Sequence, residues 1–495
     1  MKSPEQTSSP DPSGQNKNAP RFAGGSLPIV WVTVVLCVAA VLRFVNLGQL
    51  SFWYDEVVPM RLARAGSPAE MIDLLFKIEA TRAPLHPLLL EAWVAIFGQS
   101  ELAGRSLSAV FGVLTVLVIF DLGRKLFDNG TGLWAAWFSA ISPLLVFYSR
   151  EAKMYSWLVL LSCLAWRQLV ALHDRSPAVS IAVYVMISAA LAYTQPLGLF
   201  MVATLASAGW LWRRSLFGGV RRWLLTQIAI AAIVIPWCRY YLDHPPEFLS
   251  GPLPLRFLLG TPIAFIGGNF ISLGLVALLI SFGIYGWTTH PDDDPHAAIR
   301  KHWRSFGCLL LWLIIPPTAL YAYSRAFQPI FGPARYSVYA APPFFLLIGA
   351  ALSRLKPRYC LPVAACLTII AIWSLVPTVY APDQKADWRA FAHFLATQAP
   401  GPSGRSTGII VASTNPDRNV EVETARYYLP PGVLTLPLDS HTDKDPSLAN
   451  ISRLFLAVGT SASNPQPREV PASLGPFRFG DYVEYPGLRI YEGFR

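Results

Sequence analysis

Residues 27–56 read LPIVWVTVVLCVAAVLRFVNLGQLSFWYDE, and this stretch decides the fold. Leu27 to about Asn46 is an apolar run of the length, about 20 residues, that an α-helix needs to cross a bilayer. It is followed by Trp53, Tyr54 and two adjacent carboxylates, Asp55 and Glu56, at the point where the chain would leave the membrane. Residues 1–26, rich in Ser, Pro, Gln, Asn and Gly, are expected to form a disordered tail. That long polar preface, with no small-x-small pattern before Arg43, favours an uncleaved anchor over a signal peptide. Lys2, Lys17 and Arg21 put the tail in the cytoplasm and SFWYDE outside.

Outward from this stretch the chain keeps the same character. With 53% hydrophobic and 14% charged residues and a mean hydropathy of +0.40, its 495 residues describe a polytopic membrane protein. The 16 Trp and 19 Tyr suit interfacial belts. A net charge of +10 does not point to nucleic acid, because the Lys and Arg fall in short clusters between apolar runs, as in cytoplasmic loops. The six cysteines lie in or beside apolar segments without ligand-like spacing, which reads as core packing. The sequence shows no Walker loop, GxGxxG, GxSxG or HExxH, so nucleotide hydrolysis and dinucleotide chemistry have no support.

Residues 57–82 are too polar to span, but Met71, Leu74, Leu75 and Ile78 recur at helical spacing, as in a helix lying on the membrane surface. The segment RAPLHPLLLEAWVAIFG, residues 82–98, is either a thin span or a juxtamembrane helix. Parity decides between them. If it does not cross, Arg124 with Lys125, Arg175, the cluster at 213–222, Arg300 to Arg304 and Arg354 to Arg358 all face the cytoplasm; if it crosses, all face outward. The positive-inside rule selects the juxtamembrane reading. Ten further spans are then expected near 103–123, 131–148, 154–172, 178–193, 197–212, 223–241, 268–287, 305–323, 336–352 and 359–379, about eleven in all. The fold class is mainly α, with a first outer loop at 48–102 and a membrane domain over 27–380. From about residue 381 the composition becomes that of a soluble domain: an amphipathic helix near 387–397 and strands at 408–413, 453–458 and 488–493 predict a small α/β domain over 381–495, outside the membrane.

Three outer-face features carry chemistry. Asp55 can serve as general base for a hydroxyl, with Glu56 beside it, or the pair can simply favour a helix N-terminus through its dipole. In YSREAKMYSW, residues 148–157, Arg150 and Lys153 stand where few cations are expected. They suit a lipid phosphate, Arg as a planar fork and Lys as a point charge, or they snorkel to anchor a helix end. Glu151 and Tyr155 beside them are candidate substrate contacts, Tyr155 alternatively a belt tyrosine. In RAFQPIFGPARYSVY, residues 325–339, Arg335 lies at headgroup depth and can reach a phosphate. Arg82 is a fourth phosphate candidate. His86 could relay a proton or be a structural ring, and Arg105 has too many ordinary partners to assign.

The succession SFWYDE, APLHPLLLEAWVAIFGQSELAGRSLSAVFG and SPLLVFYSREAKMYSW resembles the GT-C membrane glycosyltransferases, in the bacterial branch of protein mannosyltransferases, lipid A aminoarabinose transferases and lipopolysaccharide core galacturonosyltransferases. The resemblance is strongest over 48–170, returns at FGPARY and hardly touches the C-terminal domain. It implies a polyprenyl-phosphate sugar as donor, a lipid, glycan or protein as acceptor, and action at the outer face of a bacterial inner membrane. The family's first-loop acid falls on Asp55, and its second-loop polar cluster on Arg150, Glu151 and Lys153. Some relatives bind a divalent metal near that acid; Asp55 and Glu56 are the residues available for one, though two carboxylates make a weak site. A Lys153 where relatives often carry Arg, and Leu-His-Pro where they often carry a His-Pro-Pro-like run, depart from the pattern. A transporter or flippase, or a non-catalytic assembly protein, is the rival reading, yet most charges sit at span ends rather than within spans.

Overall fold

The computed structural model describes residues 27–78, 83–243, 254–288, 295–327, 334–380, 385–398, 406–412, 420–439, 442–459 and 471–495. The expectations for the tail at 1–26, for Arg82 and for residues 328–333 of the FGPARY loop lie outside the described residues.

Helix α1 (Leu27–Phe44) is followed by three helices in the first loop: α2 (Tyr54–Leu62), α3 (Pro68–Ile78) and α4 (Leu85–Phe97). The bundle continues with α5 (Glu101–Leu126), α6 (Asn129–Ala140), α7 (Pro143–Ser149), α8 (Tyr155–Ala171), α9 (Ala178–Thr194), α10 (Gly198–Leu211), the short α11 (Arg213–Phe217) and α12 (Val220–Asp243). Then come α13 (Arg256–Ile266), α14 (Phe270–Thr288), α15 (Pro295–Ala326), a 3-10 turn (Ala334–Ala340), α16 (Ala341–Arg354) and α17 (Pro357–Val379). Among the described residues six helices are long and apolar enough to cross a membrane, and up to seven if the bent pair α6–α7 forms one span; α1, α4, α8, α9 and α10 are shorter apolar helices. Each segment expected to span coincides with a helix or with that bent pair. The expected span 131–148 is two helices at 61°, because Ser142 caps α7 and Pro143 starts it. Helix α13 was not expected.

Small residues set the closest packing in the bundle. A Cβ on Gly123 would lie 2.6 Å from the Cα of Gly132, so α5 and α6 meet backbone to backbone, and Gly349 brings α16 against Thr131 and Ala135 in the same way. Arg43, buried at the end of α1, donates to the carbonyls of Ala39, Ser139 and Ala140 and to Ser149 Oγ at 3.0–3.4 Å. It thereby satisfies carbonyls that the α6–α7 break leaves without helical partners.

The C-terminal part holds α18 (Trp388–Gln398), α19 (Val420–Tyr428) and six strands: β1 (Ser406–Ala412), β2 (Leu434–Pro437), β3 (Ile451–Gly459), β4 (Ser473–Leu474), β5 (Phe477–Tyr485) and β6 (Leu488–Phe494). The sheet order is β2-β1-β3-β6-β5-β4, parallel across β2-β1-β3 and antiparallel beyond. Ile409 and Val411 face α18 and α19 while Ile410 and Ala412 face the opposite core with Leu454, Leu456 and Phe477. Burial on both faces explains why β1 reads as an unbroken apolar run.

Candidate active site

The loop after α1 is organised by a residue the sequence left unassigned. Arg105, on the second turn of α5, places all five of its donors: Nε and Nη2 on the two oxygens of Glu56 at 2.7 and 2.8 Å, Nη1 on the carbonyls of Leu47 and Leu50 at 3.0 and 2.6 Å, and Nη2 also on that of Ser51 at 2.9 Å. One guanidinium thus shapes the backbone that precedes α2. The sequence signal is slight: one Arg among Ala, Gly and Ser near the start of a helix whose other charges sit at its ends.

Glu56 has no exposed surface. Besides Arg105, its carboxylate accepts from Ala152 N at 3.0 Å, Lys385 Nζ at 2.7 Å and, more weakly, Trp53 N at 3.4 Å. Burial alone would raise its proton affinity, but Arg105 and Lys385 outweigh that and draw it down to about 2. A carboxylate held this way stays charged at neutral pH and has no lone pair left for a metal. Asp55 and Glu56 therefore do not fit a divalent cation as a pair. Among the described residues no three His, Cys, Asp or Glu side chains converge into a metal site.

Asp55, in the same first turn of α2, points elsewhere. Its Oδ2 meets Arg335 Nη1 at 3.0 Å, with each side chain 26% exposed. Arg335 donates through Nη2 to Tyr336 Oη at 3.1 Å and lies over that ring, while its Nε is buried without a hydrogen-bond partner. Tyr148 and Tyr155, whose rings are 4.9 Å apart, lie within electrostatic reach of this ion pair. Two residues 280 positions apart in the chain, singled out separately as base and phosphate ligand, are thus in contact.

The remaining candidates divide. Glu151 is buried, and neither of its oxygens has a hydrogen-bond partner; Lys385 Nζ is 3.7 Å away. Burial, reinforced by the nearby Glu56 and Asp55 and opposed by Lys385, pushes it up to about 7. It borders a cavity of about 30 Å³ shared with Arg105, Arg150 and Lys385, room for a water molecule. Arg150 is not turned toward Asp55: its Nη1 caps the carbonyls of Leu42, Arg43 and Val45 at 2.6–3.3 Å and its guanidinium lies over Tyr380. These contacts tie it to the end of α1. Lys153 borders a cavity of about 10 Å³ with His86, Pro59 and Thr194. His86 is buried with Nε2 unpartnered, and burial together with Lys153 pushes its imidazole down to about 3, so it stays neutral and is a poor proton relay.

A model of the family described as dolichyl-phosphate-mannose-protein mannosyltransferase matches residues 81–240. Among solved structures, ArnT from Cupriavidus metallidurans in the apo state superposes with a TM-score of 0.57 at 13% identity, covering 94% of this chain and 98% of that one. The chain has the fold of ArnT. The same ArnT bound to undecaprenyl phosphate gives 0.53 at 15% identity with the same coverage. The Archaeoglobus fulgidus oligosaccharyltransferase, in complex with Zn and sulfate, gives 0.50 at 13% identity over 86% of this chain and 67% of that one. No curated protein sequence matches the chain significantly.

Proposed function

We propose that the protein is a glycosyltransferase that moves a sugar from a polyprenyl-phosphate donor to an acceptor hydroxyl, with Asp55 as general base and Arg335 as the cation for the departing phosphate. The observation that carries this reading is the half-buried Asp55–Arg335 pair, in which the arginine keeps a buried donor, Nε, unused. A donor phosphate arriving at Arg335 competes with Asp55 for the guanidinium. The freed carboxylate then takes the acceptor proton as the hydroxyl oxygen bonds to the anomeric carbon. The bond from that carbon to the phosphate oxygen breaks, its electron pair leaves with polyprenyl phosphate, and the anomeric centre inverts. Positioned proton transfer contributes roughly a hundred- to ten-thousandfold, and a cation where negative charge develops adds to it.

In this reading the chain crosses the membrane eleven times, with α6–α7 as one broken span and α4 lying along the surface. The first loop and the C-terminal domain then share the outer face of a bacterial inner membrane. Lys153 and Arg82 stand as further phosphate contacts, and Arg150 as an anchor of α1. The test is release of undecaprenyl phosphate from synthetic undecaprenyl-phosphate hexoses and pentoses by the purified full-length protein in lipid nanodiscs. Release that Asp55→Asn lowers by roughly a hundredfold or more is the expected result. Full activity in that variant removes Asp55 as base, and no release from any donor of the panel favours transport instead.

A further inference from the structure

The C-terminal domain does not merely sit beside the first loop; it supplies a side chain to it. Lys385, three residues before α18, is nearly buried and reaches across 329 positions to Glu56 at 2.7 Å, with Glu151 at 3.7 Å and the Trp53 ring 5.8 Å from its ammonium. Its neighbours hold the same strip of loop. Asp387 accepts from Ser51 Oγ at 2.8 Å, Arg389 donates to the Gly48 carbonyl at 3.1 Å, and Tyr428 of α19 accepts from Phe52 N at 2.6 Å while donating to Glu101 at 2.9 Å.

What sets Lys385 apart from those neighbours is the pair of acids it meets. Glu56 and Glu151 are both buried and close enough to repel each other, and a cation between them favours the ionised form of each. Arg105 reaches Glu151 only through its charge, because its five donors are committed elsewhere. Lys385 is the one cation within 4 Å of both acids among the described residues. Glu56 in turn fixes the first turn of α2, from which Asp55 projects.

We propose that Lys385 is a positioning residue delivered by the C-terminal domain: by neutralising Glu56 and Glu151 together it holds the Ser51–Glu56 loop so that Asp55 faces Arg335. The consequence for catalysis rests on the glycosyl-transfer reading; the consequence for the loop does not. Hydrogen exchange on the full-length protein in nanodiscs reads the loop directly. In Lys385→Met, exchange over residues 48–62 rises roughly tenfold or more while α18 and β3 keep their protection. Lys385→Arg, which keeps the charge, stays near wild type. Adding Glu151→Gln to Lys385→Met, which removes the acid left without a cation, restores protection of the loop. Release of undecaprenyl phosphate from undecaprenyl-phosphate mannose falls in kcat with little change in KM in Lys385→Met and recovers in Lys385→Arg. Unchanged loop exchange in Lys385→Met overturns the proposal, as does failure of Glu151→Gln to restore it. Loss of protection throughout α18 and β3 also overturns it, since the lysine would then serve the domain's own folding. If no donor is turned over, the glycosyl-transfer reading fails while the exchange results still decide the role of Lys385.

Discussion

Asp55 and Glu56 are adjacent in sequence and opposite in use, and helix geometry explains why. Neighbouring residues on an α-helix diverge by roughly 100°, so two consecutive carboxylates in its first turn cannot address one site. One meets Arg335 at the half-open face; the other enters the interior with Arg105 and Lys385. Removing the buried partner is costly: Glu56→Gln should destabilise the protein by about 3–5 kcal/mol, seen as a lowered unfolding temperature in detergent, because two buried cations lose their counterion. The pH dependence of folding carries both buried acids with opposite sign. Glu56, held near 2, contributes stability that is complete above the ordinary carboxylate range and is lost as pH falls through that range toward 2. Glu151, raised to about 7, binds its proton more tightly folded than unfolded, so stability declines as pH rises from the ordinary carboxylate value through about 7. Unfolding temperatures measured across this window should slope downward in wild type, and Glu151→Gln should flatten that limb. The acids themselves were legible in the sequence; their division of labour depended on Arg105 and Lys385, which lie 49 and 329 positions from Glu56.

At the scale of elements, hydropathy located the helices because membrane burial leaves a long apolar signature, whereas it could not show where a helix breaks. The break in 131–148 was nonetheless written in Ser142-Pro143, a cap followed by the residue best suited to a first helical position. What keeps the broken ends together is Arg43, and the room for it is made by Gly112. A Cβ at residue 112 would fall 2.6 Å from Arg43 Nε and also onto Ser149 Oγ. Gly112→Val should therefore displace the guanidinium from the Ser139 and Ala140 carbonyls and cost about 1–3 kcal/mol, measurable by thermal unfolding of the purified protein. In the C-terminal part, β1, β3 and β6 were visible because their residues are buried. The short β2 and β4 and the largely exposed β5 carry no comparable pattern. Helix α19 was missed for a related reason, since within it only Val422 and Ala425 are buried in the core with Ile409 and Val411.

For the whole molecule, the eleven-span arrangement proposed above would put every basic cluster on one side, and this is open to direct measurement. In a background with Cys37 and Cys366 changed to Ser, a cysteine at Gln99 should react with an impermeant maleimide from outside. One at Lys125 should react only after permeabilisation; the reverse pattern would overturn the arrangement of loops. Of the cations that first stood out, Arg150 donates to carbonyls at the end of α1 and Arg335 meets Asp55, so both are engaged within the protein. The link between Lys385 and the first loop also has a temporal side. In the order of synthesis Glu56 and Glu151 are made early, and their shared cation follows only after α17, when the bundle is otherwise complete. On the proposed roles, a nascent or truncated chain ending at residue 384 carries Asp55 and Arg335 yet lacks the lysine that sets the loop. If the proposed glycosyl transfer holds, completion of the C-terminal part then works as a licensing step that precedes any use of the donor.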